Sequence, residues 1–316
     1  MKKKLLKMIF NGIFFTVSFL LFSGEYPKIL VSTFPIYQFS RNIVDGSGVN
    51  LDLLLPPGLG CPHDYALTPQ DMMKISNANV MIINGLGMEE FIGLNVLKIN
   101  PNIKIIDSSE GIKDLIKLSD EHHNGEIEED HEEIKEDHHH HNEHSEFNPH
   151  LFASPMMAQK VIINIASNLS RIIPDKREIF EKNAKEYIKR LQIISDDFKK
   201  KTENFKNKKI IQPHGVFDYF ARDFGLEIIA TLQPHGHELS SSEIITLIKI
   251  IEKEKPIAII SEYQYSDKIA KMLSDETKIP HIKLDPVASG PENPPLNFYE
   301  ERMKKNFQIL EKIMNN

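Results

Sequence analysis

Short runs of apolar and β-branched residues alternate along the chain with longer amphipathic stretches. The short runs predict buried strands, and the stretches between them predict helices. The predicted strands cover residues 28–33, 51–55, 80–84 and 103–107 in the first half, and 209–212, 227–231, 257–261 and 281–284 in the second. This alternation predicts an α/β fold with two lobes, each built on a mainly parallel sheet.

A long helical pattern lies between the two halves, from Pro174 to about Asn204. At 1.5 Å per residue such a helix measures roughly 45 Å, enough to run the height of both lobes and join them. It contains no glycine, so we expect a rigid joint with little opening and closing. We therefore predict an N-terminal lobe over residues 25–173, a linking helix over 174–204 and a C-terminal lobe over 205–316. The apolar residues recur every three or four positions, at Phe180, Ala184, Tyr187, Ile188, Leu191, Ile194 and Phe198.

The first 24 residues have the pattern of a secretory signal peptide. Four lysines precede a mostly apolar run over residues 8–22, which is too short for an ordinary membrane span. We expect a periplasmic or otherwise extracytoplasmic protein. Leu21 and Phe22 suit a cleavage site poorly, so an uncleaved anchor stays open. No cysteine lies near this boundary, so lipid modification is not expected, and the single cysteine, Cys61, excludes an internal disulfide.

Residues 120–146 are rich in histidine and acid. This segment holds eight histidines, twelve acidic residues and one lysine, with almost nothing that could enter a core. We expect it to be disordered and to bind divalent cations weakly, because His-rich tracts are typical of metal binding.

The acidity of the chain is concentrated in that segment. The formal net charge is −7. Without the four N-terminal lysines and the His-rich segment, the remaining body is neutral. A neutral body offers no basic face that could displace counterions, which argues against a nucleic-acid partner.

Four side chains with metal-binding chemistry follow predicted strands or precede a helix. They are His63, His150, His214 and Asp285. Ligands of open α/β sheets bind beyond the carboxyl ends of the strands. Three imidazoles and one carboxylate form a closed tetrahedral set for zinc.

The order of motifs resembles the zinc- and manganese-specific substrate-binding proteins of ABC transporters, the ZnuA-like group. The resemblance rests on PPG…PHDY at residues 56–65, on NPH at 148–150, on residues 214–220, and on Glu262 through Asp285. It implies two lobes joined by one long helix, with His63, His150, His214 and Asp285 holding a metal in the cleft. It also implies a membrane permease as the partner and a monomeric chain that is not an enzyme.

Ligand type favours zinc over manganese as the bound metal, because manganese prefers more oxygen ligands. A manganese-specific homologue and a metal-dependent surface adhesin remain open. A zinc hydrolase is less favoured, since the sequence has no HExxH motif and Asp285 would occupy the open coordination position.

Several neighbouring residues have open roles. Where the family usually has Asp and Trp around the second ligand, this chain has Asn148 and Phe152. We expect the turn through Pro62 to point Cys61 away from the site. Glu262 is either a hydrogen-bond partner of a ligand imidazole or a helix-start carboxylate. His235 and His237 are either an auxiliary site or an exposed pair.

Overall fold

The computed structural model describes residues 26–62, 65–89, 93–118, 146–232 and 239–314. The predicted signal peptide, His63, the pair His235 and His237, and nearly all of the His-rich segment lie outside these residues. None of the described helices combines the length and the apolar composition needed to cross a membrane.

The first sheet contains four parallel strands in the order β2-β1-β3-β4. Its strands are β1 (Ile29–Val31), β2 (Leu51–Leu53), β3 (Val80–Ile83) and β4 (Lys104–Asp107). The helices between them are α1 (Phe34–Val44), α2 (Pro69–Asn77) and α3 (Gly93–Ile99). Helix α2 begins in a capping box, in which Thr68 and Asp71 exchange side-chain and backbone hydrogen bonds.

Two longer helices follow, α4 (Pro155–Ile172) and α5 (Arg177–Thr202). The side chain of Ser154 caps α4 by accepting hydrogen bonds from the N–H groups of Met156 and Met157. The predicted linking helix begins later than expected, because a 3₁₀ turn occupies Pro174–Lys176. Helix α5 therefore has 26 residues and measures about 39 Å. Its predicted apolar stripe is buried except at Ile188, which is partly exposed.

The second sheet repeats the plan of the first, with parallel strands in the order β6-β5-β7-β8. Its strands are β5 (Lys209–Gln212), β6 (Glu227–Thr231), β7 (Ala258–Glu262) and β8 (His281–Leu284). Its helices are α6 (Asp218–Phe224), α7 (Ser241–Glu254), α8 (Lys268–Thr277) and α9 (Phe298–Met314). The predicted fold class, two parallel-sheet lobes with a long helix between them, is confirmed.

Helix α5 is bonded to both lobes through one side chain. Arg190 donates from Nε to Oε1 of Glu300 on α9, and from Nη2 to Oδ1 of Asn42 on α1, both at 2.8 Å. Nearer the end of the helix, the ring of Phe198 stacks on Phe307 of α9 with centroids 3.8 Å apart. The helix thus fixes the distance between α1 and α9.

The lobes also meet directly, without the linking helix. Gln38 of α1 donates to the carbonyl oxygens of Pro295 and Leu296, which precede α9. Asn42 donates to the same Leu296 carbonyl at 2.8 Å. Gln38 and Asn42 are both buried. Buried amide contacts of this kind resist sliding of one lobe over the other, because moving them leaves polar groups without partners.

Candidate metal site

Three of the candidate residues sit where backbone segments turn at the carboxyl side of the sheets. His150 precedes a 3₁₀ turn at Leu151–Ala153, and His214 lies two residues after β5 and precedes another such turn. Asp285 directly follows β8. The placement of His214 and Asp285 after parallel strands is the arrangement in which α/β sheets bind ligands.

His150 and His214 are in contact across the cleft. Their ring centroids are 5.2 Å apart, at an interplanar angle of 72°. Among the described residues, these two histidines form one group of metal-binding side chains with Cys61, in which the ligand atoms all lie within 4.8 Å of one another. The expectation that the turn through Pro62 points Cys61 away from the site is therefore wrong.

Asp285 lies outside that group. Its Oδ1 accepts the N–H of Val287 at 2.8 Å, and its Oδ2 is 3.5 Å from Nε of Arg302 on α9. Burial raises the pKa of the Asp285 carboxyl, while the Val287 hydrogen bond and the Arg302 charge oppose the rise. The structure thus brings two of the four predicted ligands together. His63 lies outside the described residues, and the ligand roles of His63 and Asp285 stay predictions.

Glu262 faces the ring of His214 from the end of β7. Its Oε1 is 2.9 Å from Nδ1 of His214, and its Oε2 accepts the amide of Gln264 at 2.8 Å. The residue is 1% exposed, which excludes a solvent-facing helix-start carboxylate. A carboxylate beside Nδ1 favours the tautomer with its proton on that nitrogen, and leaves Nε2 for a metal.

Asn148 places an oxygen beside the ring Nδ1 of His150, as Glu262 does for His214. Its Oδ1 accepts the backbone N–H of His150 at 2.9 Å and lies 2.8 Å from the ring Nδ1. Its Nδ2 donates to the Gly215 carbonyl at 2.6 Å and to Oδ2 of Asp218 at 2.8 Å. These last two partners are acceptors, so they fix the orientation of the amide and direct its oxygen toward His150. The substitution of Asn for the usual Asp therefore keeps an acceptor against the ring.

The surroundings of the Cys61 thiol raise its pKa and so favour the protonated form. Burial raises the pKa of Cys61 well above its ordinary value, the Glu262 carboxylate adds to the rise, and a hydrogen bond with Tyr265 opposes it. The residue as a whole is partly exposed. A bound cation would reverse this balance, because a coordinated thiol is deprotonated.

A family model described as the periplasmic component A of the zinc-uptake complex, ZnuA, matches residues 29–313. The chain belongs to this family. A zinc-binding protein AdcA of Streptococcus pyogenes is 29% identical over 303 residues, which cover 91% of the chain and 56% of the relative. The chain thus spans little more than half the length of that relative. The high-affinity zinc uptake system protein ZnuA of Bacillus subtilis is 31% identical over 257 residues, or 80% of the chain and 76% of the relative.

Solved structures of similar proteins have the same fold. The substrate-binding protein FpvC of Pseudomonas aeruginosa, in complex with Ni²⁺, superimposes with a TM-score of 0.76 over 92% of the chain and 97% of that structure, at 23% identity. Two parallel-sheet lobes with a long helix between them are therefore the shared architecture.

Sequence reasoning missed two contacts within this ZnuA-family site. The partner of Asp285, Arg302, follows it by 17 positions and reaches it only because α9 packs beside β8. Asp218, which holds the amide of Asn148, comes from the helix after His214. For the presence of Cys61 at the site, the one available sequence signal was its position in the run Cys61-Pro62-His63.

Proposed function

We propose that this chain binds zinc in the cleft between its two lobes and delivers it to the permease of an ABC transporter on the outer side of the membrane. The observation that carries the proposal is the convergence of His150 and His214, each with its Nδ1 beside an oxygen acceptor. Such acceptors orient an imidazole and raise its basicity as a ligand. Both relatives are named for zinc binding or zinc uptake, which supports zinc as the bound metal.

The chemistry of the converging side chains favours zinc over manganese. Imidazole and thiolate are ligands that suit zinc, while manganese is better served by carboxylate and water oxygens. Neither the manganese-specific alternative nor the adhesin alternative gains support from these side chains. A hydrolase is not favoured either, because the relatives are named for zinc binding and uptake.

The binding step is tested by zinc titration against a competing chelator. Replacing His214 with Ala removes a zinc–nitrogen bond, so we expect affinity to fall by more than the 10–100-fold that changes around a metal site typically cost. His281→Ala is the matched control, because His281 lies at the start of β8, at the other end of the strand from Asp285, and contacts Ser261. Unchanged affinity in His214→Ala would remove that residue from the site.

The delivery step is tested by growth with a zinc chelator in the medium. A strain lacking the gene should stop growing, and the natural gene or the His281→Ala gene should restore growth. The His214→Ala gene should fail to restore it. If His214→Ala restored growth fully, zinc capture at this cleft would not be the function. Copurification with a membrane permease would identify the partner.

A further inference from the structure

We infer that Sγ of Cys61 is a ligand of the metal bound in this cleft, so that the site combines sulfur and nitrogen donors. The inference rests on the proposed function, because it assumes a metal between the lobes. It goes beyond the resemblance, which implies three histidines and an aspartate.

The distances among the three side chains fit coordination. Around tetrahedral zinc, bonds of about 2.0–2.1 Å to nitrogen and about 2.3 Å to sulfur place ligand atoms roughly 3.5 Å apart. The ligand atoms of Cys61, His150 and His214 lie within 4.8 Å of one another. Side-chain rotations that move the ligand atoms by at most about 1.5 Å complete this part of the coordination shell.

The backbone that carries Cys61 is anchored on the opposite lobe. The N–H of Cys61 donates to the hydroxyl of Tyr265 at 3.1 Å. Gly60 has a φ of +84°, and a Cβ at that position would lie 2.8 Å from the same hydroxyl. The approach therefore requires glycine for both its conformation and its lack of a side chain. A second bond, from the N–H of Gly290 to the Pro57 carbonyl at 2.9 Å, fixes the beginning of the loop.

This anchoring decides where the thiol points. Tyr265 also lies edge-on to the ring of His214, with centroids 6.2 Å apart. A loop of the first lobe that is bonded to Tyr265 therefore brings Cys61 close to His214. Asp285, by comparison, has both carboxylate oxygens directed to Val287 and Arg302. The thiol thus belongs to the group of converging ligand atoms, whereas the Asp285 carboxylate lies outside that group.

A sulfur ligand changes which metal ions the site prefers. Thiolate is a soft donor that favours zinc and disfavours manganese. When the Sγ–metal bond forms, the S–H bond breaks and its proton passes to solvent, so metal binding releases one proton from Cys61. Cys61 accordingly contributes to the discrimination between these two metals as well as to affinity.

X-ray absorption of the zinc-loaded full chain tests the inference directly. We expect one sulfur neighbour at about 2.3 Å beside nitrogen and oxygen neighbours at about 2.0–2.2 Å. Because the chain has a single cysteine, a zinc–thiolate bond can come only from Cys61, and loss of the sulfur shell in the Cys61 variant separates it from a methionine thioether. In Cys61→Ser the sulfur shell should vanish, and zinc affinity should fall at least 10-fold while manganese affinity changes less.

Cobalt gives an independent measurement. With Co²⁺ in place of zinc, the natural chain should show a thiolate-to-cobalt charge-transfer band together with the visible bands of a tetrahedral site. Visible bands without charge transfer, or a zinc shell of nitrogen and oxygen alone, would overturn the role of Cys61 and leave the proposed function intact. If neither metal bound stoichiometrically, both the inference and the proposed function would fall. Since the natural chain alone decides these outcomes, misfolding of Cys61→Ser would not obscure them.

Discussion

Oε1 of Glu262 lies 2.9 Å from Nδ1 of His214, and Glu262 is 1% exposed. The carboxylate thus lies against the ring of a candidate ligand inside the protein. Replacing Glu262 with Gln keeps the shape but removes the charge that favours Nδ1–H. We expect zinc affinity to fall about 10–100-fold with little loss of fold. Chelator competition measures this, with the exposed Glu276→Gln of α8 as control. Equal affinities in the two variants would show that Glu262 does not orient the ligand.

Asn148 and Asp218 form a hydrogen-bonded pair in which the amide and the carboxylate can be exchanged between the two positions. Replacing Asn148 with Asp places a carboxylate against Asp218 and the Gly215 carbonyl, where the amide now donates. We expect about 1–3 kcal/mol lower stability at neutral pH, because like charges meet in a partly buried place. Adding Asp218→Asn places an amide donor beside the new carboxylate acceptor at position 148. Most of the lost stability should then return. Urea unfolding of the single and double variants gives the coupling free energy. Independent, additive effects would contradict this explanation of why Asn stands at position 148.

Glu89 is a buried carboxyl in the first lobe, with 6% of its surface exposed. It accepts hydrogen bonds from the Ser32 hydroxyl at 2.5 Å and from the N–H groups of Asn84 and Gly85. Burial nevertheless raises its pKa from 4.5 to about 7. The folded chain therefore keeps a proton that the unfolded chain loses as pH rises above 4.5. Its contribution to stability is complete below pH 4.5 and is lost as pH rises through about 7.

Urea unfolding of the metal-free chain at several pH values between about 4.5 and 8 tests this titration. The loss attributed to Glu89 is about 3 kcal/mol across that range. Glu89→Gln cannot titrate, so its stability should depend less on pH by that amount. The exposed Glu178→Gln is the control. An identical pH dependence in the natural chain and in Glu89→Gln would exclude the raised pKa.

The His-rich segment is predicted to be dispensable for folding and for tight binding. Its ends are already joined, because the Leu118 N–H donates to the Glu146 carbonyl at 2.9 Å and the Asn148 N–H donates to the Ile116 carbonyl at 2.8 Å. Replacing residues 120–145 with a short Gly-Ser turn should leave unfolding and the tight zinc equivalent unchanged. The weak zinc equivalents should disappear from a calorimetric titration. Loss of the tight equivalent would mean that the segment supplies a primary ligand.

Part of the fold was predictable because the inner strands, such as β1, β3 and β7, are buried almost along their whole length and appear in the sequence as largely apolar runs. The predicted strand 209–212 matches β5, and 281–284 matches β8. The start of α5 was placed three residues too early, since Pro174 is as suitable for a 3₁₀ turn as for a helix start. The site was less predictable. The direction of Cys61 depends on Tyr265, more than 200 positions away, and no local pattern encodes that contact.

Helix α5, bonded through Arg190 to Glu300 on one side and Asn42 on the other, has a consequence for recognition by a transporter. With this joint we expect the two lobes to stay together, so that the protein has nearly the same outline when loaded and when empty. Under the proposed function, we expect a permease to distinguish the two forms by the local positions of the loops that carry Cys61 and His214. With no large closure expected on capture, little of the binding energy would be stored in a change of shape of the protein. Under the same proposal, release of the metal would require movement of those loops.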